Sequence, residues 1–299
     1  MDSTRPDLLD QLVTGVTANP RYLPISPDLV RWIGARELGQ QRNLKEAIKA
    51  TRNKLHQVAG SYQDHKIHYA HCLAELAEAV EFAGQPDPLL SPKTISPVLR
   101  AALSSIMRRH TSTLERLPIL DEFYKQILGP IGPIQSLLDL ACGLNPLAAA
   151  WMPLAPGAQY HAIDIYQDMI DFLNQVFVGT PFMGALEGGT HKGCPNGGIR
   201  GYAERANLLQ GVPDQHYQVA LLLKTLPCLE QVDKSISPRL LDAIQADHVV
   251  VSYPVTSLGG KSKGMRSFYE AHFKNLVAGR PWKIEKFDFS TELVFMVTR

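Results

Sequence analysis

Cysteine is scarce in this chain, and long apolar runs are missing. The four cysteines, Cys72, Cys142, Cys194 and Cys228, lie far apart and form no CxxC pair. This spacing argues against a zinc site and a disulfide framework, so we expect no metal and a reducing, cytoplasmic location. No apolar stretch reaches the length that crosses a bilayer, so we expect no membrane partner. The first residues, MDSTRPDLLDQL, lack a basic segment leading into an apolar core, which disfavours a secretory signal.

An excess of charge of one sign is also lacking. The 30 Lys and Arg residues nearly balance the 29 Asp and Glu residues, for a net charge of +1. The total therefore does not indicate a nucleic-acid partner, although a neutral total can hide a basic face. The content of 45% hydrophobic and 20% charged residues is that of an ordinary globular protein. Its 299 residues are enough for two domains.

The apolar pattern divides the chain into two regions. Residues 1–128 have helical periodicity. One predicted helix begins at Pro27, and three more cover residues 44–58, 71–83 and 98–107. From residue 137, helix-like segments at 167–177 and 238–246 alternate with short apolar runs, namely 137–140, 159–163, 218–223, 248–252 and 293–297. This alternation predicts βαβ units and a mostly parallel sheet. The fold class is therefore α/β, with a Rossmann-like domain over 101–299 after an all-helical N-terminal domain over 1–100. Residues 84–97 read as a connector, and the glycine-rich residues 179–201 as a long surface loop.

The segment LLDLACGLNP, residues 137–146, is typical of a nucleotide-like cofactor site. A buried strand ends in a turn of small residues, where the backbone can approach a ligand. About twenty residues later, Asp164 follows the next apolar strand and can accept bonds from ribose hydroxyls. Asp139 either holds the turn or reaches the cofactor's amino group through water. A dinucleotide site would need GxGxxG, but Asn145 and Pro146 stand there, which favours S-adenosylmethionine over NAD. The alternative is a generic strand–turn–helix.

Two further groups flank this motif. Ser112 and Glu115 fit an S-x-x-E capping box, which predicts that a helix starts there. Arg116 precedes the sheet by one helix and could pair with the cofactor's methionine carboxylate in a forked geometry. Lys224 follows a predicted strand and either meets an anionic backbone or is a solvated strand end.

Several strings together resemble the aminoglycoside-resistance 16S ribosomal RNA methyltransferases that modify N7 of guanine 1405. They are LHQVAGSY, HTSTLERLP, LLDLACGLNPLA, YHAIDI, LLLKTLPCLE and VVVSYPVTSLGGKSKGM, in this order along most of the chain. The resemblance implies a class I methyltransferase fold and transfer of a methyl group from S-adenosylmethionine to this guanine of the 30S subunit. Aminoglycoside resistance would follow from that modification.

The resemblance also implies which residues bind the cofactor. His110, Thr111, Ser112 and Arg116 are expected at its methionine end. Gly143 is expected beside the main chain of the cofactor's methionine part, and Asp164 at the ribose. Asn207, Leu208 and Leu223 are expected at the adenine and Tyr69 in the pocket. Asp139 completes the set of expected cofactor residues. The sequence departs from the family at two positions. Ala141 replaces the usual glycine of the turn, and Asn207 replaces an acidic residue, so that its amide oxygen is expected to accept from the adenine amino group.

Two basic segments could hold RNA. The cations Arg42, Lys45, Lys49 and Arg52 recur at steps of three and four, with Lys54 beside them. Such a stripe is a solvated helix face in most proteins, but the resemblance favours contact with ribosomal RNA. In the glycine-rich GGKSKGMR string, three cations could grip RNA backbone. Residues expected to position the target are Lys224, Lys261, Lys263, Met265, Arg266 and Tyr269, of which Met265 and Tyr269 would pack against an extruded base.

The predicted reaction needs no catalytic acid or base, because N7 of guanine has a free lone pair and no proton. Alignment of the nucleophile, methyl carbon and sulfur is sufficient. We expect a monomer whose partner is 16S rRNA within the 30S subunit. Two alternatives remain: a methyltransferase of the same fold that acts on another site or a small molecule, and a non-catalytic module that only binds ribosomal RNA.

Overall fold

Helices dominate the first part of the chain. The computed structural model describes residues 5–60, 66–83, 96–179, 183–185, 198–256 and 264–299. Before the sheet lie seven α-helices within these ranges: α1 Arg5–Thr17, α2 Pro27–Gln40, α3 Leu44–Leu55, α4 Tyr69–Ala83, α5 Pro97–Met107, α6 Thr111–Arg116 and α7 Leu120–Leu128. A π-helical turn, His56–Gly60, extends α3. Among the described residues, no helix is both long and apolar enough to cross a bilayer.

Local sequence explains where these helices begin. Pro27 occupies the first turn of α2, where its missing N–H is not needed. The Asn43 side chain caps α3 by accepting a bond of 2.9 Å from the Glu46 amide. The predicted capping box at Ser112 and Glu115 is wrong. A helix does start here, but α6 begins at Thr111 with His110 as its N-cap residue and no side-chain cap, and the Glu115 carboxylate binds Lys224.

The second part forms one eight-stranded sheet in the order β3-β4-β2-β1-β5-β6-β8-β7. Its strands are β1 Ile134–Leu140, β2 Leu154–Asp164, β3 Met183–Ala185, β4 Ile199–Arg205, β5 Tyr217–Leu223, β6 Ala246–Pro254, β7 Lys283–Asp288 and β8 Glu292–Thr298. All pairs are parallel except those that β8 makes with β6 and β7. The remaining helices are α8 Gln167–Gly179, α9 Leu226–Leu229, α10 Ile236–Ala243 and α11 Met265–Val277. The mixed α/β prediction is confirmed.

The sheet is wider than the sequence indicates. We expected residues 179–201 to form a loop. Strand β3 lies within this stretch, and β4 begins near its end and pairs with β3 in parallel, so the expectation is wrong for the residues of these strands. Residues 186–197 lie outside the described residues, as do most of the predicted connector, 84–97. The ring of Phe177 in α8 packs so closely on β4 that a Cβ at Gly201 would lie 2.0 Å from it. Glycine at this position therefore lets the helix approach β4 closely.

The N-terminal helices are tied to the sheet by backbone hydrogen bonds. The segment before α2 runs beside the residues that follow β2, with a bridge between Ile25 and Tyr166. The amide of Ser26 donates to the Ile165 carbonyl at 2.8 Å, and the amide of Gln167 to the Pro24 carbonyl at 2.9 Å. This contact places α2 against the carboxyl end of β2.

Candidate active site

A cleft opens at the carboxyl ends of the central parallel strands. Strand β1 has β2 on one side and β5 on the other, so the chain changes direction across the sheet at this point. Ligands of open α/β sheets bind at such a switch point. The residues that line the cleft come from four strand ends and from the helices above them: Leu29, Val58, His110, Ser112, Ala141, Asp164, Ile165, Tyr166, Ala206, Asn207, Leu208, Leu223, Lys224, Thr225, Cys228 and Leu229.

Asp164 links the first two strand ends of the cleft. Its Oδ2 accepts a bond of 2.9 Å from the amide of Gly143, and its Oδ1 one of 2.6 Å from the amide of Ile165. Burial raises the pKa of Asp164, while these amide bonds act in the opposite direction. A carboxylate has about four acceptor positions, so Asp164 can still accept a bond from a ligand.

His110 packs directly against the turn after β1. A Cβ added to Gly143 would lie 2.7 Å from His110 Cε1, and Gly143 has a φ of 54°. Burial, together with the nearby charges of Arg116 and Lys224, lowers the pKa of His110 to about 4. The imidazole that lines the cleft is therefore neutral at pH 7.

Asp139 lies beneath the turn and outside the cleft lining. Its Oδ2 accepts from the Tyr160 hydroxyl at 2.7 Å and from Asn145 Nδ2 at 2.8 Å. Burial raises the pKa of Asp139 to about 6, although these two bonds oppose the rise. These bonds fit a role of Asp139 in holding the turn, and its contact with a cofactor stays a prediction.

A buried ionic network continues from Asn145 to the rim of the cleft. Arg116 donates to Asn145 Oδ1 at 3.0 Å and forms an ion pair of 2.9 Å with Glu292, and both charged side chains are completely buried. The Lys224 ammonium lies 3.3 Å from Glu292 Oε1 and 2.5 Å from Glu115 Oε2. Burial would raise the pKa of Glu292, but Arg116 and Lys224 outweigh it and lower this pKa. Arg116 thus forms part of the wall behind the cleft, and its contact with a methionine carboxylate stays a prediction.

The far end of the cleft contains the residues expected at adenine. Asn207, Leu208 and Leu223 line it, and Asn207 is only 5% exposed. Tyr69 and Thr111 are not part of the lining. The ring of Tyr69 stacks on Phe172 with 5.0 Å between centroids, and burial with the nearby Asp168 and Asp164 carboxylates raises the pKa of its phenol.

The predicted basic stripe divides into two groups. Arg42, Lys45 and Lys49 are exposed. The Arg52 guanidinium donates to the Gly15 carbonyl of α1 at 2.5 Å, and Lys54 Nζ donates to the Gln231 carbonyl at 3.1 Å. The last two cations therefore join helix α3 to its neighbours in the protein.

The residues expected to position a target base lie around the start of α11. Arg266 is paired with Asp288 and donates to the Phe289 carbonyl at 2.8 Å. The half-buried ring of Tyr269 stacks on Tyr253 with 4.7 Å between centroids, and Met265 is the first residue of the helix. Lys261 and Lys263 lie outside the described residues.

Sequence reasoning missed several residues of the site. Leu29 of α2 and Val58 of the π-helical turn line the cleft, and Glu115 and Glu292 hold Lys224. Glu292 lies 176 residues from Arg116, so no local spacing could have indicated this pair. A glutamate in an otherwise buried apolar strand, ELVFMVT, was the one available signal.

A family model described as Ribosomal RNA methyltransferase (FmrO) matches residues 18–182 and 198–296. The chain belongs to the FmrO family. The resemblance found in the sequence is thereby confirmed. Two relatives of this chain carry the name 16S rRNA (guanine(1405)-N(7))-methyltransferase. One, from Frankia casuarinae, is 35% identical over 97% of this chain and 94% of its own length. The other, from Micromonospora echinospora, is 32% identical over 99% of both chains.

The architecture of this FmrO family member also matches solved structures. The 16S rRNA methyltransferase RmtF, in complex with S-adenosyl-L-homocysteine, superposes with a TM-score of 0.75 at 26% identity, over 100% of this chain and 99% of RmtF. The 16S rRNA methylase RmtB superposes with a TM-score of 0.71 at 23% identity, over 97% of this chain and 98% of RmtB, and shows the same fold.

Proposed function

We propose that the protein transfers a methyl group from S-adenosylmethionine to N7 of guanine 1405 in the 16S rRNA of the 30S subunit, and so confers aminoglycoside resistance. The observation that carries the proposal is the cleft at the switch point of the sheet, with Asp164 and Asn207 in its lining, in a chain of the FmrO family. Relatives that align along almost the whole chain carry the name of this activity.

The chemistry of the cleft fits the proposed cofactor. The free lone pairs of Asp164 suit ribose hydroxyls, and Leu208 and Leu223 offer apolar surface for a purine. Asn207 Nδ2 is buried and has no hydrogen-bond partner among the described residues, so it requires a polar ligand atom. The bound cofactor supplies a sulfonium-activated methyl carbon. The neutral His110 adds no positive charge beside that sulfonium.

The remaining work of the protein is to position the guanine. N7 carries a lone pair and no proton, so no residue has to act as a general base. Orientation of the base against the methyl carbon, with water excluded, accounts for the rate in this mechanism. Lys224, Met265, Arg266 and Tyr269 are proposed as positioning residues, together with Lys261 and Lys263 of the segment before α11.

We assign RNA docking to a helical domain over residues 1–100, and methyl transfer to a domain over 101–299. The exposed cations Arg42, Lys45 and Lys49 support this assignment, because phosphate contacts contribute most of the affinity for RNA. In this proposal Arg52 and Lys54 contribute by holding α3 in place. The protein acts as a monomer, without a metal, in the cytoplasm where small subunits are found.

The proposal is tested on isolated 30S subunits. Subunits are incubated with the protein and S-adenosylmethionine, the rRNA is cleaved chemically at 7-methylguanine, and primer extension locates the cut. We expect a cut at guanine 1405 that is absent without cofactor. Modification at another nucleotide would redirect the substrate assignment, and a protein that binds subunits but not the cofactor would be a non-catalytic module. In titration calorimetry, Asp164→Ala is expected to show weakened binding of the cofactor.

Arg266 provides a separate test of target positioning. Arg266→Gln should lower methylation at saturating cofactor while the affinity for S-adenosylhomocysteine stays within about twofold. Asp288→Asn is the matched control, since it removes the partner of Arg266 but keeps the cation. If Asp288→Asn lost as much activity as Arg266→Gln, the ion pair and not an RNA contact would explain the effect.

A further inference from the structure

The turn after β4 fixes the orientation of the Asn207 side chain. Asn207 Oδ1 accepts a bond of 3.1 Å from the amide of Leu209, two residues further on. The Asn207 carbonyl accepts a second bond of 2.9 Å from the amide of Gln210. A side-chain oxygen bonded to the amide two residues later is the arrangement of an Asx turn. The bond to the protein's own backbone therefore sets the orientation of this amide and uses one lone pair of its oxygen.

The nitrogen of the same side chain is left without a partner. Nδ2 is buried, it has no hydrogen-bond partner among the described residues, and Asn207 lines the cleft. A buried donor that stays unsatisfied is costly, so the bound ligand is the natural source of an acceptor. Rotating the amide by half a turn does not solve the problem, because Nδ2 would then face the Leu209 amide, donor against donor.

An aspartate at this position would behave differently. One carboxylate oxygen would keep the bond to Leu209, and the other would present an acceptor to the cleft. Such an acceptor suits the exocyclic amino group of adenine. Asparagine reverses the polarity and presents a donor. In this geometry the Asn207 atom that still needs a partner is the donor Nδ2, and not the amide oxygen that we expected at the adenine amino group.

We propose that Asn207 Nδ2 donates to a ring nitrogen of the cofactor's adenine, N1 or N3, and makes no bond to the exocyclic amino group. This inference rests on the proposed function, in that the cleft must hold an adenosyl cofactor. Asn207 then determines which edge atoms of the base the protein selects. A ligand whose base lacks the ring acceptor would leave Nδ2 unsatisfied in the complex.

The test compares the affinities of S-adenosylhomocysteine and three analogues for the full-length protein by titration calorimetry. In two analogues CH replaces N1 or N3, and in the third hydrogen replaces the amino group. For the wild type we expect one ring-carbon analogue to bind roughly tenfold more weakly than S-adenosylhomocysteine, the usual loss for an unsatisfied buried donor. The matched variant is Asn207→Asp, which preserves the Asx turn. In this variant, replacing the ring nitrogen should no longer weaken binding relative to S-adenosylhomocysteine, whereas removing the amino group should weaken it.

The outcomes separate this inference from the proposed function. If S-adenosylhomocysteine binds and both ring-carbon analogues bind equally well to the wild type, the inference is overturned while the cofactor assignment stands. The inference is likewise overturned if wild type and Asn207→Asp respond in the same way to all three analogues. Failure of the wild type to bind S-adenosylhomocysteine at all would overturn both. Asp164→Ala serves as the control, since it should weaken every one of these ligands by a similar factor.

Discussion

Ala141 and Lys224 adopt the same left-handed backbone conformation, with φ of 54° and 59°, just beyond the carboxyl ends of the neighbouring strands β1 and β5. Among the described residues they are the non-glycine residues with positive φ, and both line the cleft. This conformation costs an L-residue about 1–2 kcal/mol. Backbone strain is thus concentrated at the two strand ends that bound the cleft, as is common for functional sites.

Replacing Ala141 by glycine should stabilise the protein. Relief of the left-handed strain outweighs the greater freedom of glycine in the unfolded chain, for a net gain of about 0.5–1 kcal/mol in the free energy of unfolding. Urea denaturation measures it. Ala162→Gly in β2, which has an ordinary backbone and a buried methyl group, is the control and should destabilise by about 1 kcal/mol or more. Equal losses in both variants would contradict the strain at Ala141.

Gly143→Ala should destabilise the protein by at least about 2 kcal/mol. The new Cβ would lie 2.7 Å from the His110 ring. The alanine would also have to adopt a φ of 54°, which is strained for an L-residue. Because two causes act, His110→Ala in the same chain should recover the steric part of the loss but not the backbone part. The free energies of unfolding of the two single variants and the double variant test this. Strict additivity would mean that His110 and Gly143 do not contact each other.

His110 and Asp139 should give opposite dependences of stability on pH. Folding lowers the pKa of His110 from 6.5 to about 4, so unfolding takes up a proton between these values and stability falls as pH falls. Folding raises the pKa of Asp139 from 3.8 to about 6, so unfolding releases a proton and stability rises as pH falls. In wild type the two effects oppose each other between about pH 4 and 6.

Each effect is isolated by one variant. The stability advantage of wild type over His110→Gln should shrink by about 3 kcal/mol from pH 7 to pH 4. The corresponding difference for Asp139→Asn should change in the opposite direction over pH 6 to 4. Chemical denaturation at several pH values gives both curves, and slopes of the same sign would refute the assignment.

Glu292→Gln should cost about 3–5 kcal/mol of stability, because it leaves the buried Arg116 without its carboxylate and weakens the support of Lys224. The control is Glu285→Gln, which breaks an exposed pair with Lys283 and should change stability by less than about 1 kcal/mol. Guanidinium denaturation of wild type and the two variants measures these differences in the free energy of unfolding. A small loss in Glu292→Gln would contradict the stabilising role assigned to its pair with Arg116.

Lys45→Gln combined with Lys49→Gln should weaken binding to 30S subunits without unfolding the protein. If both lysines contact phosphates, the slope of log affinity against log salt should decrease in magnitude by about 1.5. Arg52→Gln is the contrasting variant, because it removes hydrogen bonds to α1 and should lower stability. An unchanged salt slope in the double lysine variant would place the RNA elsewhere on the surface.

The central strands and the cofactor turn could be predicted because their signals are local. Strands β1 and β5 are buried on both faces, so their sequences are nearly continuous apolar runs. The spacing from the ACG turn to Asp164 follows from the length of the short helix after β1 and of strand β2. Strand β4 was missed because its sequence, IRGYAER, is half exposed and follows a glycine-rich stretch.

The side-chain partners could not be predicted, because they join distant parts of the chain. Glu115 has the spacing of a capping residue, yet its carboxylate binds an ammonium group 109 residues away. Arg52 has the spacing of a phosphate-binding stripe, yet it binds a carbonyl 37 residues away. In both cases the local pattern was consistent with either a local or a long-range partner for the charged group, and in the folded protein the partner is the long-range one.

The hydrogen bond from Ser26 to Ile165 joins the proposed RNA-docking helices directly to the proposed cofactor site. Leu29, from the helix that this bond anchors, forms part of the cleft. If binding of rRNA displaces α2, the affinity for the cofactor must change, and the cofactor must then change the affinity for rRNA by the same factor. The final complex would not depend on the order in which the two ligands are added, but the affinity measured for each ligand would depend on whether the other is bound.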